Sequence, residues 1–467
     1  MSETHLLLAL VGTAVCCFGF FRRPKSSYEL LQPRFVIPAM IWSAMFSQVF
    51  LYYFVEQEFD LYSSARELAG ITSLLFLISS LLLFWVGYVL PLGARIAAPL
   101  ARVESTLPIN PARLRPLGAF VCIVVFTTLV VTGGPRFLGF SDASFAGSTM
   151  TAVMGPMLSM MSMLGAALVG LSWPARETRN GIDVFVGVFL IFLCCTMGMS
   201  NFSRGTGLPI IAAYAAYAIR HQKLPIKTGL FCLYLVAALG YAGMSGRGIF
   251  GHYAGVAPFL WQFVTVGTWD IPHAFETVMN ANDSFTPLCV SVRGAQTTYL
   301  GQLTPLDWML FQIPFPRVLG LHPEWTFTLT YFVGGRGSWN YTSSMFGDAY
   351  AHLGFAGCIV FFFVGIAYRF IAQLVPPLRP AGVQWSVSPY LILVFTSYFA
   401  CAMGLFNSFR AWNVSFFYPI YLVVGSVMLL WFFRSGNSIS QESERSSEMS
   451  HGDYRRLEYY DDQHRSY

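Results

Sequence analysis

Residues 69–91, AGITSLLFLISSLLLFWVGYVLP, carry no charged side chain over a length that suits a membrane-spanning helix. Such a helix needs about 20 apolar residues, because the hydrocarbon core of a bilayer is ~30 Å thick and a helix rises ~1.5 Å per residue. This stretch therefore predicts one transmembrane span, and the same pattern recurs along most of the chain.

The composition of the chain agrees with a membrane protein. Of its 467 residues, 55% are hydrophobic and 11% are charged, whereas soluble domains carry about 25% charged residues. We predict an all-α polytopic membrane protein with one transmembrane domain over residues 1–433 and a disordered cytoplasmic tail over residues 434–467. The eleven predicted spans lie at residues 4–21, 35–54, 69–91, 117–133, 152–172, 183–200, 206–219, 229–245, 348–368, 389–406 and 413–433.

The distribution of basic residues predicts the orientation of the spans. With the N-terminus outside and the C-terminus in the cytoplasm, 20 of the 28 basic residues lie on the inner side, in agreement with the positive-inside rule. The first apolar run has basic residues after it and none before it, so we interpret it as an anchor and not as a signal peptide. The eight outer basic residues are all arginines: Arg66, Arg136, Arg204, Arg247, Arg293, Arg317, Arg336 and Arg410.

The longest outer segment, residues 246–347, connects spans eight and nine. Loops of this length in compact proteins are usually functional. Two stretches in it, residues 258–266 and 269–280, have the pattern of amphipathic helices that lie at the membrane surface.

Four outer arginines stand beside a predicted helix end or in a glycine-rich turn: Arg204, Arg247, Arg336 and Arg410. The planar guanidinium group binds phosphate or carboxylate through two parallel hydrogen bonds, so these arginines predict an anion site near the outer surface. The alternative is a structural role, in which each arginine reaches toward lipid headgroups, caps a helix or anchors a turn together with Trp412 in the interfacial belt.

The entry to span nine carries a candidate acid–base pair. Asp348 and His352 are four residues apart and therefore share one face of the predicted helix. Either side chain could take a proton from a reacting hydroxyl, whereas the structural alternative places Asp348 at a helix N-terminus, where its charge is favourable. Small residues on one face predict close helix packing here: Ser343, Gly347, Ala351 and Gly354.

The sequence contains no motif for metal binding, nucleotide binding or a disulfide framework. The histidines show no metal-binding spacing and no nucleotide-binding motif is present, so we predict no metal and no cofactor. The cysteines lie in apolar runs except Cys289, which lies in a polar loop, and a disulfide framework is not indicated. The net charge of +5 does not indicate nucleic-acid binding.

This layout resembles the Wzy-type polymerases of oligosaccharide repeat units, which make O-antigen, enterobacterial common antigen and related bacterial polysaccharides. The resemblance covers most of the layout of residues 5–433. The matching segments are SRGT at 203–206, SGRG at 245–248, IPFPR at 313–317, TSSMFGDAYAHLGFAG at 342–357 and FR at 409–410.

The resemblance implies a multi-pass glycosyltransferase of the bacterial inner (cytoplasmic) membrane with its active site facing the periplasm. It would join undecaprenyl-pyrophosphate-linked oligosaccharides and release polyprenyl pyrophosphate, in contact with membrane lipid; a chain-length regulator and a flippase are candidate partners. The implied catalytic residues are Arg204, Arg247, Arg410, Asp348 and His352. The implied substrate-binding residues are Arg336, Arg317, Tyr341, Ser344 and Tyr350.

Other functions fit parts of the same sequence. An O-antigen ligase, which transfers the glycan to lipid A core, shares the arginine-and-loop arrangement. A transporter or flippase of lipid-linked glycans would be expected to have charged residues deep in the spans and internal repeats. The predicted spans contain almost no acidic residues, and no internal repeat is visible in the sequence. A membrane scaffold without enzymatic activity leaves the arginine turns unexplained.

Overall fold

The computed structural model describes residues 1–21, 24, 30–54, 63–104, 111–139, 149–174, 180–202, 204–221, 225–250, 255–265, 283–296, 344–374, 390–406, 412–413 and 415–416. They belong to one compact unit, Met1–Phe416. All regular structure in these ranges is helical, as predicted from the sequence. The predicted tail over residues 434–467 lies outside the described residues.

The α-helices follow one another along the chain as a series of long apolar segments and short connecting pieces. In order they are α1 Glu3–Cys16, α2 Pro33–Ile41, α3 Ser47–Phe54, α4 Ser63–Val89, α5 Leu92–Glu104, α6 Pro111–Gly133, α7 Pro135–Leu138, α8 Thr149–Ser172, α9 Gly181–Ser200, α10 Leu208–His221, α11 Ile226–Phe250, α12 Val256–Thr265, α13 Phe285–Gln296, α14 Ser344–Leu353, α15 Val360–Leu374 and α16 Tyr390–Phe406.

Among the described residues, seven helical segments are long and apolar enough to cross a membrane, which supports a multi-pass membrane protein. They are Glu3–Phe21, Pro33–Phe54, Ala65–Val89, Leu114–Gly133, Gly181–Ser200, Ile226–Gly246 and Ser344–Gln373. Predicted spans five, seven and ten correspond to helices with shorter apolar stretches, namely Leu158–Ser172 within α8, the 14 residues of α10 and the 17 residues of α16. Most of predicted span eleven lies outside the described residues.

Local sequence explains where several helices begin and change. The Asn180 side-chain oxygen accepts a 2.7 Å hydrogen bond from the Asp183 backbone N–H, which satisfies a donor that the first turn of α9 leaves unpaired. α2 begins at Pro33, where a missing N–H has no consequence. Pro38 inside α2 cannot donate a backbone hydrogen bond, and the helix then widens into a π-helical turn at Trp42–Phe46.

Small residues allow the spans to pack at short distances. A Cβ added to Gly365 of α15 would overlap the Phe84 carbonyl oxygen of α4, and one added to Gly170 of α8 would overlap the Ala213 carbonyl oxygen of α10. Close approach of backbones at small residues is the usual way in which membrane helices associate. The Arg220 side chain at the end of α10 donates to the Leu171 carbonyl oxygen near the end of α8, so these two helix ends lie side by side.

The segment predicted as the outer loop is partly helical. α11 continues to Phe250, and α14 already begins at Ser344. A helix is confirmed at the first predicted amphipathic stretch, 258–266, as α12, which buries Phe259 and Gln262 and exposes Trp261. The second predicted amphipathic helix, at 269–280, lies outside the described residues.

The loop also contains α13, which lies inside the bundle and not on its surface. The Ser284 N–H donates to the Ala44 carbonyl oxygen at 2.9 Å, and Ala44 lies in the π-helical turn near the middle of the Pro33–Phe54 span. Cys289 is 0% exposed and its thiol contacts the Ser73 hydroxyl of α4. The prediction that Cys289 lies in a polar loop is therefore wrong: it belongs to a buried helix that enters the depth of the spans.

Candidate functional site

α14 carries the candidate acid–base pair inside the helix bundle. His352 Nε2 lies 3.4 Å from Asp348 Oδ1, and the two side chains are 1% and 6% exposed, respectively. The spacing of four residues brings them onto one helix face, as predicted. A carboxylate next to an imidazole orients the ring, so the pair has the arrangement of a general acid–base pair.

The start of α14 is set by Ser344. Its backbone has a φ of 60°, which is uncommon for a residue other than glycine, and its Oγ accepts a 3.2 Å hydrogen bond from the Gly347 N–H. The Ser344 hydroxyl, predicted to bind substrate, thus closes the first turn of the helix. Asp348 lies beyond this first turn, so the alternative that explains it as a helix-start residue does not apply.

Gly347 and Tyr350, on either side of Asp348 in the sequence, are packed tightly. A Cβ added to Gly347 would lie 2.6 Å from Ser291 Oγ of α13, which confirms the predicted close approach at this glycine. Tyr350, also predicted to bind substrate, is 8% exposed, and its ring meets the Phe76 ring of α4 edge-on with 5.1 Å between centroids. The helix that carries the acid–base pair is therefore held against α13 through Gly347 and against α4 through Tyr350.

The predicted ninth span is a broken helix. Gly354 has a φ of 59° and ends α14, and a 3-10 turn over Gly354–Ile359 connects it to α15. Nothing lies within 4 Å of a Cβ added to Gly354. The prediction that this glycine serves close packing is therefore wrong, because its role is the left-handed backbone conformation that reverses the helix path.

The described residues after the Arg410 turn pack against α15 and the end of α16. Arg410 itself lies outside the described residues. Trp412 is 3% exposed, and its Nε1–H donates to the Tyr368 hydroxyl at 3.1 Å. A Cβ added to Gly404 of α16 would lie 2.8 Å from Met345 Sδ and 2.9 Å from Trp412 Cβ. The interpretation of Trp412 as a residue of the interfacial belt is therefore wrong, since it is buried against Tyr368 of α15 and Gly404 of α16.

The backbones of the Arg204 and Arg247 segments are brought together by one aromatic ring. Phe202 precedes the 3-10 turn Arg204–Gly207, has a φ of 47° and is buried. A Cβ added to Gly246, the residue before Arg247 in α11, would overlap the Phe202 ring. The side chains of the two arginines lie outside the described part of the structure, but their segments are neighbours.

The remaining predicted substrate-binding residues, Arg336, Arg317 and Tyr341, lie outside the described residues. One polar cluster was not predicted as a site although its arginine was noted as an outer one. It joins Arg66, Tyr52, Asp283 and Thr286 at the start of α13. The signal that could have revealed it is the 12-residue stretch FTPLCVSVRGAQ, which is short, largely apolar and follows an aspartate.

Comparison with known proteins gives no further assignment for this site. No protein-family model matches the chain, and neither a curated protein nor a solved structure is significantly similar to it. Among the described residues, no group of three or more His, Cys, Asp or Glu side chains is arranged to hold a metal ion.

Proposed function

We propose that this protein is a membrane glycosyltransferase that polymerises polyprenyl-pyrophosphate-linked oligosaccharides at the outer face of the bacterial inner membrane. The observation that carries the proposal is the buried Asp348–His352 pair. It lies on a helix that contacts the buried part of the outer segment through Gly347, and Gly404 near the end of α16, ahead of the Arg410 turn, through Met345. The acid–base pair thus lies on a helix that is a neighbour of the helix leading into the Arg410 turn.

The reaction that fits these residues is a glycosyl transfer with an acidic leaving group. A hydroxyl of the incoming repeat unit forms a bond to the anomeric carbon of the growing chain, and the bond from that carbon to the pyrophosphate oxygen breaks. The Asp348–His352 pair takes the hydroxyl proton. The arginines of the outer turns stabilise the negative charge that develops on the departing polyprenyl pyrophosphate.

The test is a comparison of Asp348→Asn and His352→Gln with the native protein in a strain that lacks the native gene, read by gel electrophoresis of its surface polysaccharide. Loss of general acid–base catalysis lowers the rate by roughly 10²–10⁴-fold, so long chains are expected to disappear while single repeat units persist. Asp183→Asn and His221→Gln, near the predicted inner ends of α9 and α10, are the matched controls and should leave the chain-length distribution unchanged.

Normal long chains in both Asp348→Asn and His352→Gln, with both proteins present at native levels, would refute the proposal. Complete absence of glycan on lipid A core in the deletion strain, single repeats included, would instead assign the ligase reaction. The two enzymes are thus separated by the deletion alone.

A transporter of lipid-linked glycans is the second candidate, because the Ser344–Gln373 span is broken at Gly354 and contains a buried carboxylate. Broken helices and ionisable groups inside the spans are typical of transporters. A transporter would move the lipid-linked repeat unit across the membrane without lengthening it. Purified protein in vesicles with lipid-linked repeat units on both leaflets distinguishes the two, since only a polymerase makes longer glycans there.

A further inference from the structure

Four polar side chains join the outer ends of two spans to the start of α13. The Arg66 guanidinium lies over the Tyr52 ring, 4.0 Å from its centroid, and Arg66 Nη1 donates to the Thr286 hydroxyl at 3.2 Å. The Tyr52 hydroxyl donates to Asp283 Oδ2 at 2.7 Å. Tyr52 belongs to α3 and Arg66 to α4, so the cluster ties α13 to both.

Burial makes this cluster costly to open. Arg66 is only 5% exposed, and a buried guanidinium is stable only where nearby groups compensate its lost hydration. The aromatic face of Tyr52 and the Thr286 hydroxyl contribute to that compensation. Asp283 is bound in turn, because its Oδ1 accepts from the backbone N–H groups of Phe285 and Thr286 at 2.9 and 3.0 Å.

Farther along, α13 also contacts α14, at the residue that precedes Asp348. Ser291 of α13 fills the space that Gly347 of α14 leaves open, at 2.6 Å from the position of an added Cβ. Gly347 directly precedes Asp348. The position of α13 therefore limits where the Asp348 backbone can lie, because both helices are buried and closely packed.

We infer that Arg66 and Tyr52 are positioning residues that hold α13 inside the bundle and, through Ser291 and Gly347, fix the helix of Asp348 and His352. The first part of this inference, the retention of α13, is independent of the reaction. The second part, the effect on the acid–base pair, rests on the proposed function.

Cys289 reports directly on the retention of α13. It is 0% exposed, and burial raises the pKa of its thiol, so both access and thiolate formation are suppressed while α13 is in place. The experiment treats intact spheroplasts with a membrane-impermeant maleimide and measures modification of the Cys289 peptide by mass spectrometry. The native protein is expected to react slowly, and Arg66→Ala at least ~10-fold faster, since a helix that opens locally exposes its thiol.

Two milder variants and a matched control accompany Arg66→Ala. Tyr52→Phe keeps the ring under Arg66 but removes the hydrogen bond to Asp283, and it should raise Cys289 modification by a smaller factor. Arg66→Lys keeps the cation and should restore part of the protection that Arg66→Ala loses. Tyr53→Phe removes the same hydroxyl atom from the neighbouring residue and should react like the native protein.

The labelling and the polymer assay fail in different ways. Slow modification of Cys289 in both Arg66→Ala and Tyr52→Phe, or rapid modification in the native protein, overturns the retention of α13. Rapid modification in Arg66→Ala together with native polymer length overturns the positioning role. If the native protein makes no polymer, the proposed function fails while the labelling result still decides the first part.

Discussion

Asp348 and His352 show how two titratable side chains are accommodated in an apolar bundle. A single buried charge without a partner costs several kcal/mol, because its hydration is lost. The 3.4 Å approach of the two side chains gives each buried polar group a polar neighbour, which lowers the cost of burying it. Asp183 contrasts with this pair, since it meets the 44% exposed Arg115 at 2.6 Å near the end of a span and forms an ordinary surface ion pair.

Arg204, Arg247 and Arg410, which are predicted to lie near the outer surface, lead to a second prediction at the residue scale. If they stabilise the departing pyrophosphate, replacement of any one by Ala should slow polymer formation by roughly 10²–10³-fold, the usual effect of removing one preorganised donor. Lys at the same position keeps the charge but not the two parallel hydrogen bonds. It should therefore give an intermediate rate, measured as the initial rate of chain elongation with purified lipid-linked repeat units.

The control for these variants is Arg95→Ala in α5, which lies on the predicted inner side. It should elongate chains at the native rate. Native rates in all three outer Ala variants would show that the arginines do not act on the leaving group, even if the Asp348–His352 pair proves essential.

At the scale of elements, apolar runs predicted the long helices well. A single stretch such as residues 69–91 can pair all its backbone N–H and C=O groups within lipid only by forming a helix. α13 could not be predicted in this way. Its 12 residues are too few to span a bilayer, and its burial depends on Arg66 and Ala44, which are distant in sequence. The Asp348–His352 spacing was visible in the sequence. The break at Gly354 was not, because glycine adopts both negative and positive φ and its presence alone does not predict which one occurs.

The broken helix between α14 and α15 predicts how Gly354 responds to substitution. A left-handed φ of 59° costs an alanine about 1–2 kcal/mol, while asparagine tolerates it better. Gly354→Ala should therefore destabilise the protein more than Gly354→Asn, since no neighbouring atom would clash with either Cβ. The measurement is the unfolding midpoint in mixed dodecylmaltoside and SDS micelles.

Gly181→Ala is the matched control, because its Cβ would also meet nothing within 4 Å and its φ is not positive. It should leave the midpoint close to that of the native protein. Equal midpoints for Gly354→Ala and Gly181→Ala would mean that the helix break does not need a left-handed residue.

At the scale of the whole molecule, the orientation depends on whether α10 crosses the membrane. Its 14 residues give about 21 Å at ~1.5 Å per residue, which is shorter than the ~30 Å hydrocarbon core. The four residues of the preceding 3-10 turn, Arg204–Gly207, add about 8 Å at ~2.0 Å per residue. Together they reach nearly the required thickness, and the contact between Arg220 and Leu171 places the end of α10 beside the end of α8.

Reporter fusions on both sides of α10 test this orientation. If α10 and its 3-10 turn cross the membrane, alkaline phosphatase fused after Asn201 should be active outside the cell, and green fluorescent protein fused after Gln222 should fluoresce inside it. A fusion after Asp60 should behave like the first and one after Arg434 like the second, as the positive-inside rule requires. The same reporter activity after Asn201 and Gln222 would show that α10 does not cross the membrane. Arg204 and Arg247 would then lie on opposite sides of the membrane and could not share an outer site.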